Sequence, residues 1–144
     1  MVRVLLDTNV VSELIKPDAN GNVARNLDAI GPDNMYISVL TVGEITKGIG
    51  LLGDGHRRTG IETWLLRVEA TYGDRILPVG IDAARIWGQI TARLRTRGIQ
   101  LPATDGLIAA TAMAHNLTVV TRNVRDFEWT GVPVLNPWLD GDDA

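Results

Sequence analysis

The stretch Val2-Arg3-Val4-Leu5-Leu6-Asp7-Thr8-Asn9 decides the fold. Val4, Leu5 and Leu6 are apolar without alternation. A strand that alternates buries one face, whereas a strand that does not is covered on both, as central strands of parallel sheets are. Asp7 stands where the strand runs out, ahead of small polar residues and a helix. In open α/β sheets ligands bind at that edge. A charge directly after a buried run is costly unless it is paired. Asp7 is therefore expected to be one of several carboxylates gathered there to hold a divalent metal.

The chain outward from this strand keeps alternating. Asn9 to Ile15 reads as a short helix, the cluster Lys16-Pro17-Asp18-Ala19-Asn20-Gly21 as a turn, and Val23 to Ile30 as a second helical piece closed by Gly31-Pro32. Met35 to Leu40, with Tyr36-Ile37-Ser38-Val39, reads as a strand. Thr41 is then expected to cap a helix with Glu44 at its third position, the spacing of a capping box, and Val42, Ile45, Ile49 and Leu52 as its apolar stripe. Arg57 to Ala70 is a further helix with Ile61, Trp64, Leu65 and Val68 inward. Ile76-Leu77-Pro78-Val79 is a strand that its Pro places at a sheet edge. Asp82 is expected to cap a long helix to Arg97, stopped by Gly98. Pro102 starts the next helix, Thr104 to His115, and Leu117 to Thr121 and Val132 to Leu135 are the last strands. Strands alternating with helices predict a three-layer α/β/α sandwich around a central parallel sheet, with right-handed connections. Residues 1–137 read as one domain and residues 138–144 as an acidic C-terminal tail.

The totals narrow the function classes. At 144 residues the chain fits one domain with a sizeable core, and 45% hydrophobic with 22% charged residues is ordinary for a globular protein. No apolar run reaches the length of a membrane span and no signal-peptide pattern opens the chain, so a cytoplasmic protein is expected. With Cys 0, thiolate metal sites, disulfides and a Cys nucleophile are excluded. Net charge is −3, but Asp140, Asp142 and Asp143 lie in the final stretch, and the remaining 14 acids balance 14 bases. Any nucleic acid must therefore be met by a local basic patch or a metal rather than by a global field.

Four acids stand out by context: Asp7, Glu44, Asp105 and Asp126. Each lies at or beyond the carboxyl end of an expected strand, or at the start of a helix, and in a parallel sheet such positions share one edge. Alone, Glu44 reads as a capping-box residue pairing with Lys47, and Asp105 as an acid favoured by a helix dipole. Together they repel one another unless a cation lies between them. Oxygen donors without Cys or a nearby His select a hard ion, Mg²⁺ or Mn²⁺, which with open water positions suits phosphodiester hydrolysis. His56, after a Gly turn, and His115, at a helix end, are poor catalytic candidates.

These residues also carry a resemblance. Leu6-Asp7-Thr8-Asn9-Val10, Ile37 to Ile45, Ala103 to Ala112 and Val120 to Phe127 resemble the four successive motifs of PIN-domain proteins, and most nearly the VapC-type toxins of toxin–antitoxin pairs in their FitB-like branch. The resemblance runs from Val2 to Pro137. It implies an Mg²⁺- or Mn²⁺-dependent endoribonuclease, a homodimer, and a VapB-like antitoxin that blocks the site. Asp7, Glu44 and Asp105 fall on the family's three firm acidic positions, as metal ligands. Many members carry an Asp directly after the Thr-Arg pair, where this chain has Asn123; Asp126 lies three residues on and competes with Asn123 for the fourth corner. Asn9 and Thr121 match positions that orient the acids or the attacking water, and Asn123 is expected beside them as a further support of the site. By the same resemblance the products carry 5′-phosphate and 3′-hydroxyl ends.

Arg122 and Arg125 flank the expected site and are the candidate RNA contacts. Arg85, Gln89, Arg93 and Arg97 form an i, i+4 ladder that reads either as a phosphate stripe or as a solvated face. Trp64, Trp87, Trp129 and Trp138 are many for one domain, so some should be core and one or two should mark a partner surface. Two other functions compete. Haloacid-dehalogenase-type chemistry also opens on a strand ending in Asp, but it needs an acid two residues on, where this chain has Asn9. A catalytically silent PIN fold that binds RNA or protein has no reason to keep like charges together.

Overall fold

The computed structural model describes residues 2–139. Five strands, β1 (Val4–Leu6), β2 (Met35–Ser38), β3 (Ile76–Leu77), β4 (Thr118–Val120) and β5 (Val134–Leu135), pair in parallel in the order β3-β2-β1-β4-β5. Between them run α1 (Thr8–Leu14), α2 (Gly21–Ile30), α3 (Val39–Gly50), α4 (His56–Tyr72), α5 (Ile81–Thr96) and α6 (Ala103–Ala114), with single 3-10 turns at Pro32–Asn34, Gly73–Arg75 and Val124–Phe127. β1 is central, as its unbroken apolar run predicts: Val4, Leu5 and Leu6 are all fully buried. Pro78 follows the edge strand β3, where no ladder partner is lost.

The pleat divides the core. Val4, Leu6, Ile37 and Val120 face one side and meet Val10, Val11, Val23, Leu27, Ile45, Ile49 and Leu65 of α1 to α4. Leu5, Leu77 and Val119 face the other and meet Ile108, Ala109 and Ala112 of α6, with Phe127. α5 lies on α6, and the contact is tight because Gly106 has no side chain. A Cβ there would lie 2.9 Å from Cδ1 of Trp87 and 3.0 Å from Leu101. Gly98, at φ +76°, lets α5 end in a closed turn, with the Ile99 N–H donating to the Leu94 carbonyl at 2.9 Å.

The order of strands puts the topological switch between β1 and β4: the chain leaves β1 toward β2 and β3, then returns to the opposite side. Two successor loops part there, and the gap they leave at the carboxyl edge is where α/β sheets bind ligands.

Two expected caps are corrected. α3 begins at Val39, not after Thr41: Ser38 is the N-cap, its Oγ accepting from the Leu40 N–H at 3.0 Å. Both hydroxyl residues suit a cap, and Ser38 wins because strand passes into helix without a loop. Thr41 is buried in the first turn and Glu44 falls in the second, so there is no capping box. α5 is capped by Gly80 rather than Asp82, which is exposed in the first turn. Of the expected tail, Trp138 and Leu139 are held by their carbonyls, which accept from Asn22 (2.9 Å) and Asn26 (3.0 Å) of α2. The three acids after them lie outside the described residues.

Candidate active site

Asp7 sits at the switch. Its N–H still donates to the Val120 carbonyl at 2.9 Å, so the backbone is held in sheet geometry one residue beyond β1. The side chain is 7% exposed. Oδ1 accepts from the Thr8 N–H at 2.8 Å; Oδ2 accepts from the Thr121 hydroxyl at 2.9 Å and from the Asn9 amide at 3.2 Å. A carboxylate offers about four acceptor sites, so one direction stays free. Thr121 is fully buried at the end of β4, and its Oγ1 in turn accepts from the Asn123 N–H at 3.0 Å. Asn9 Oδ1 accepts from the Arg122 N–H at 3.2 Å. Asn9, Thr121 and Asn123 thus join the two parting loops around one carboxylate. Asn123 enters through its backbone.

Glu44 reaches the same edge from α3. It is exposed, yet one oxygen is fixed: Oε1 accepts from the Thr8 hydroxyl at 2.6 Å, and Thr8 Oγ1 lies 3.0 Å from Oγ1 of the buried Thr41. Glu44 forms no pair with Lys47 among the described residues. It stands between two grooves of about 600 and 360 Å³, the first lined also by Val39, Leu51, Lys47 and Thr104, the second by Ser12, Lys16 and Arg57. Asp105 comes from the first turn of α6, half-buried, and accepts no hydrogen bond among the described residues. Asp126 is exposed on the 3-10 turn after β4.

The four acids share one field. Burial pushes the Asp7 carboxyl above the ordinary aspartate value; the bonds from Thr121 and the Thr8 N–H pull against it, and the charges of Glu44 and Asp126 add to the rise. Asp105 is pushed up to about 6, by burial first and then by Asp126, Asp7 and Glu44. Of the two candidates for the fourth corner, only Asp126 brings charge, and it acts on both Asp7 and Asp105. Among the described residues no three acids are gathered tightly enough to enclose an ion on their own. The donor set nevertheless suits a hard ion that keeps much of its water: one free direction at Asp7, Oε2 of Glu44 and both oxygens of Asp105.

The candidate RNA contacts differ. Arg125 is exposed, whereas Arg122 lies over the Trp138 ring at 5.1 Å. The ladder on α5 is half used within the fold: Arg93 donates to the Trp129 carbonyl at 3.1 Å, and Arg97 lies over the Trp129 ring at 5.5 Å. Trp64 and Trp138 pack on the core, and Trp87 on Gly106; Trp129 keeps 49% of its surface exposed. Sequence reasoning passed over Thr8 and Glu13, and read Thr41 only as a cap. Thr8 lies inside the quoted Asp7-Thr8-Asn9 triplet, and its bond to Glu44 needs the β1–α3 proximity that no periodicity reveals. Glu13 is a buried acid whose carboxyl is held below the ordinary range by Lys16 (3.0 Å) and the Asn20 N–H (3.0 Å). A Glu and a Lys three apart in a short helix were the available signal.

Comparison with known proteins agrees with this fold. The PIN domain profile matches residues 4–131. The chain is 39% identical over 138 residues to Toxin FitB of Neisseria gonorrhoeae, covering 95% of this chain and 99% of that protein. It is 38% identical over 136 residues to the VapC ribonuclease Y4jK of Sinorhizobium fredii, covering 94% and 97%. The crystal structure of FitAcB from Neisseria gonorrhoeae superposes with a TM-score of 0.87 at 39% identity, covering 94% of this chain and 98% of that one. The chain belongs to the PIN-domain family, in its group of FitB-like toxins and VapC ribonucleases.

Proposed function

We propose that the chain is a metal-dependent endoribonuclease acting as the toxin of a toxin–antitoxin pair, with Mg²⁺ as its ion and Mn²⁺ as a substitute. The observation that carries this reading is Asp7: a buried carboxylate at the switch point, held by three donors with one direction free, in the field of Glu44, Asp105 and Asp126. Asp7, Glu44 and Asp105 would hold the metal, and Asp126 would complete the site.

A divalent ion, held there by Asp7, Glu44 and Asp105, would supply positive charge against the phosphate and lower the pKa of the attacking water. The chain's own residues do the rest. Thr8, Asn9 and Thr121 fix the Asp7 carboxylate, so that no reorganisation is needed when charge builds on phosphorus. Asp105 and Asp126 crowd the same edge with negative charge, which a cation relieves. Arg125, which is exposed, would meet a flanking phosphate, and Arg122 would present its charge from the Trp138 face. As water adds to phosphorus and gives up a proton to solvent, the bond to the ribose 3′ oxygen breaks and that oxygen leaves with a proton from solvent.

The relative named as a ribonuclease supports RNA as substrate, and the one named as a toxin supports an antitoxin partner; a homodimer and a VapB-like antitoxin that blocks the site complete the proposal. Among the described residues no helix is long and apolar enough to cross a membrane, and the proposed place of action is the cytoplasm. Residues 1–137 would form the working unit, with Trp138 and Leu139 docked against it.

Incubation with a structured RNA, with Mg²⁺ and with EDTA, tests the proposal. Cleavage in Mg²⁺ that stops in EDTA is expected. Binding without cleavage in either condition would instead identify a silent PIN-fold binding module.

A further inference from the structure

Thr8 occupies a place that neither the acids nor their immediate supports explain. Its N–H holds Asp7 at 2.8 Å, while its hydroxyl holds Glu44 at 2.6 Å, so one residue spans the carboxylates of β1 and α3. A hydroxyl carries one hydrogen. Glu44 as a carboxylate only accepts, so the Thr8 hydrogen goes to Glu44. At the 3.0 Å contact between the two threonine hydroxyls, Thr41 must then be the donor. The result is a directed chain from the buried Thr41 hydroxyl through the Thr8 hydroxyl to the Glu44 carboxylate. Thr41 is fully buried, so the chain starts from a rigid point, and it ends on a side chain that is otherwise exposed and, among the described residues, accepts no other hydrogen bond.

We infer that Thr8 and Thr41 are positioning residues that hold Glu44 beside Asp7 and so set the affinity of the site for a divalent ion. The inference rests on the nuclease reading above. An exposed Glu samples several rotamers, and bringing it to one costs free energy at the moment of ion binding. The relay has that cost met in the folded chain. Asp7 is not part of the effect, because its bond comes from the Thr8 backbone and survives any substitution of the side chain.

The test is Mn²⁺ binding to the full chain, followed by calorimetry and by the electron paramagnetic signal of the free ion. Thr8→Val keeps the shape and removes the hydroxyl. It should weaken Mn²⁺ binding by roughly 10-fold or more, within the range seen when supports of metal ligands are removed. Thr8→Ser restores the hydroxyl and should return binding to within about 3-fold of wild type on the same scale. In a Glu44→Gln background, Thr8→Val should cost little more, since the carboxylate it serves is gone. Wild-type binding with an unaffected Thr8→Val overturns this inference alone. So does a full additional loss in the Glu44→Gln background, which marks a merely structural role. A wild-type chain that bound no Mn²⁺ would overturn the nuclease reading and this inference with it.

Discussion

Asp105 and Glu13 respond to pH in opposite senses. Asp105 has its folded pKa raised to about 6 from an ordinary 3.8. The folded state therefore binds the proton more tightly than the unfolded chain between those values, and stability falls as pH rises through that window. Glu13 has its folded pKa lowered, so its contribution is present above the ordinary value of 4.5 and fades as pH falls. Mg²⁺ should oppose the first effect only. Thermal melts of metal-free chain should show that Mg²⁺ raises Tm more at pH 7.5 than at pH 5, and Asp105→Asn should raise the metal-free Tm at pH 7.5. An Mg²⁺ effect equal at both pH values would count against Asp105 as a ligand. Thr121→Val takes a donor from a buried carboxylate. It should destabilise by about 1–3 kcal/mol in urea melts and reduce cleavage by roughly 10- to 100-fold.

At the scale of elements, packing decides what propensity leaves open. The two helices α5 and α6 meet where Trp87 covers Gly106, next to Asp105. Gly106→Ala would put a Cβ 2.9 Å from a rigid ring, and overpacking of this kind costs about 1–3 kcal/mol. Denaturant midpoints should fall accordingly, with a change in tryptophan emission. An unchanged midpoint would mean that the helices separate freely.

The helices were legible in the sequence because their apolar stripes were: Ile45 and Ile49 in α3 and Leu65 in α4 are buried as the periodicity predicts. Their starts were less so. Ser38 and Thr41 are both competent caps, and Val39, β-branched, reads as strand although it opens α3. The Arg ladder on α5 was ambiguous for a related reason. Spacing places Arg93 and Arg97 on one face but cannot show that the Trp129 loop lies across it.

The whole molecule explains why four acids far apart in sequence share one field. An all-parallel sheet puts every strand's exit on one edge, and the order β3-β2-β1-β4-β5 puts the switch beside Asp7. The edge was readable from the strand–helix alternation; the order was not, because it depends on crossovers that leave no mark on periodicity. Asp7 was readable as an awkward charge after Leu6. Its clasp by Thr121 was not readable from the residues alone, since it arises only when β4 pairs with β1. The same geometry makes Asp7 the most economical target for a test. Asp7→Asn keeps the size and removes the charge that Glu44 and Asp126 oppose, so the fold should survive. The measurement is cleavage of one structured RNA by wild type and Asp7→Asn at equal Mg²⁺. Wild type should release fragments with 5′-phosphate ends, and folded Asp7→Asn should release none above background; equal cleavage by the two would contradict the account.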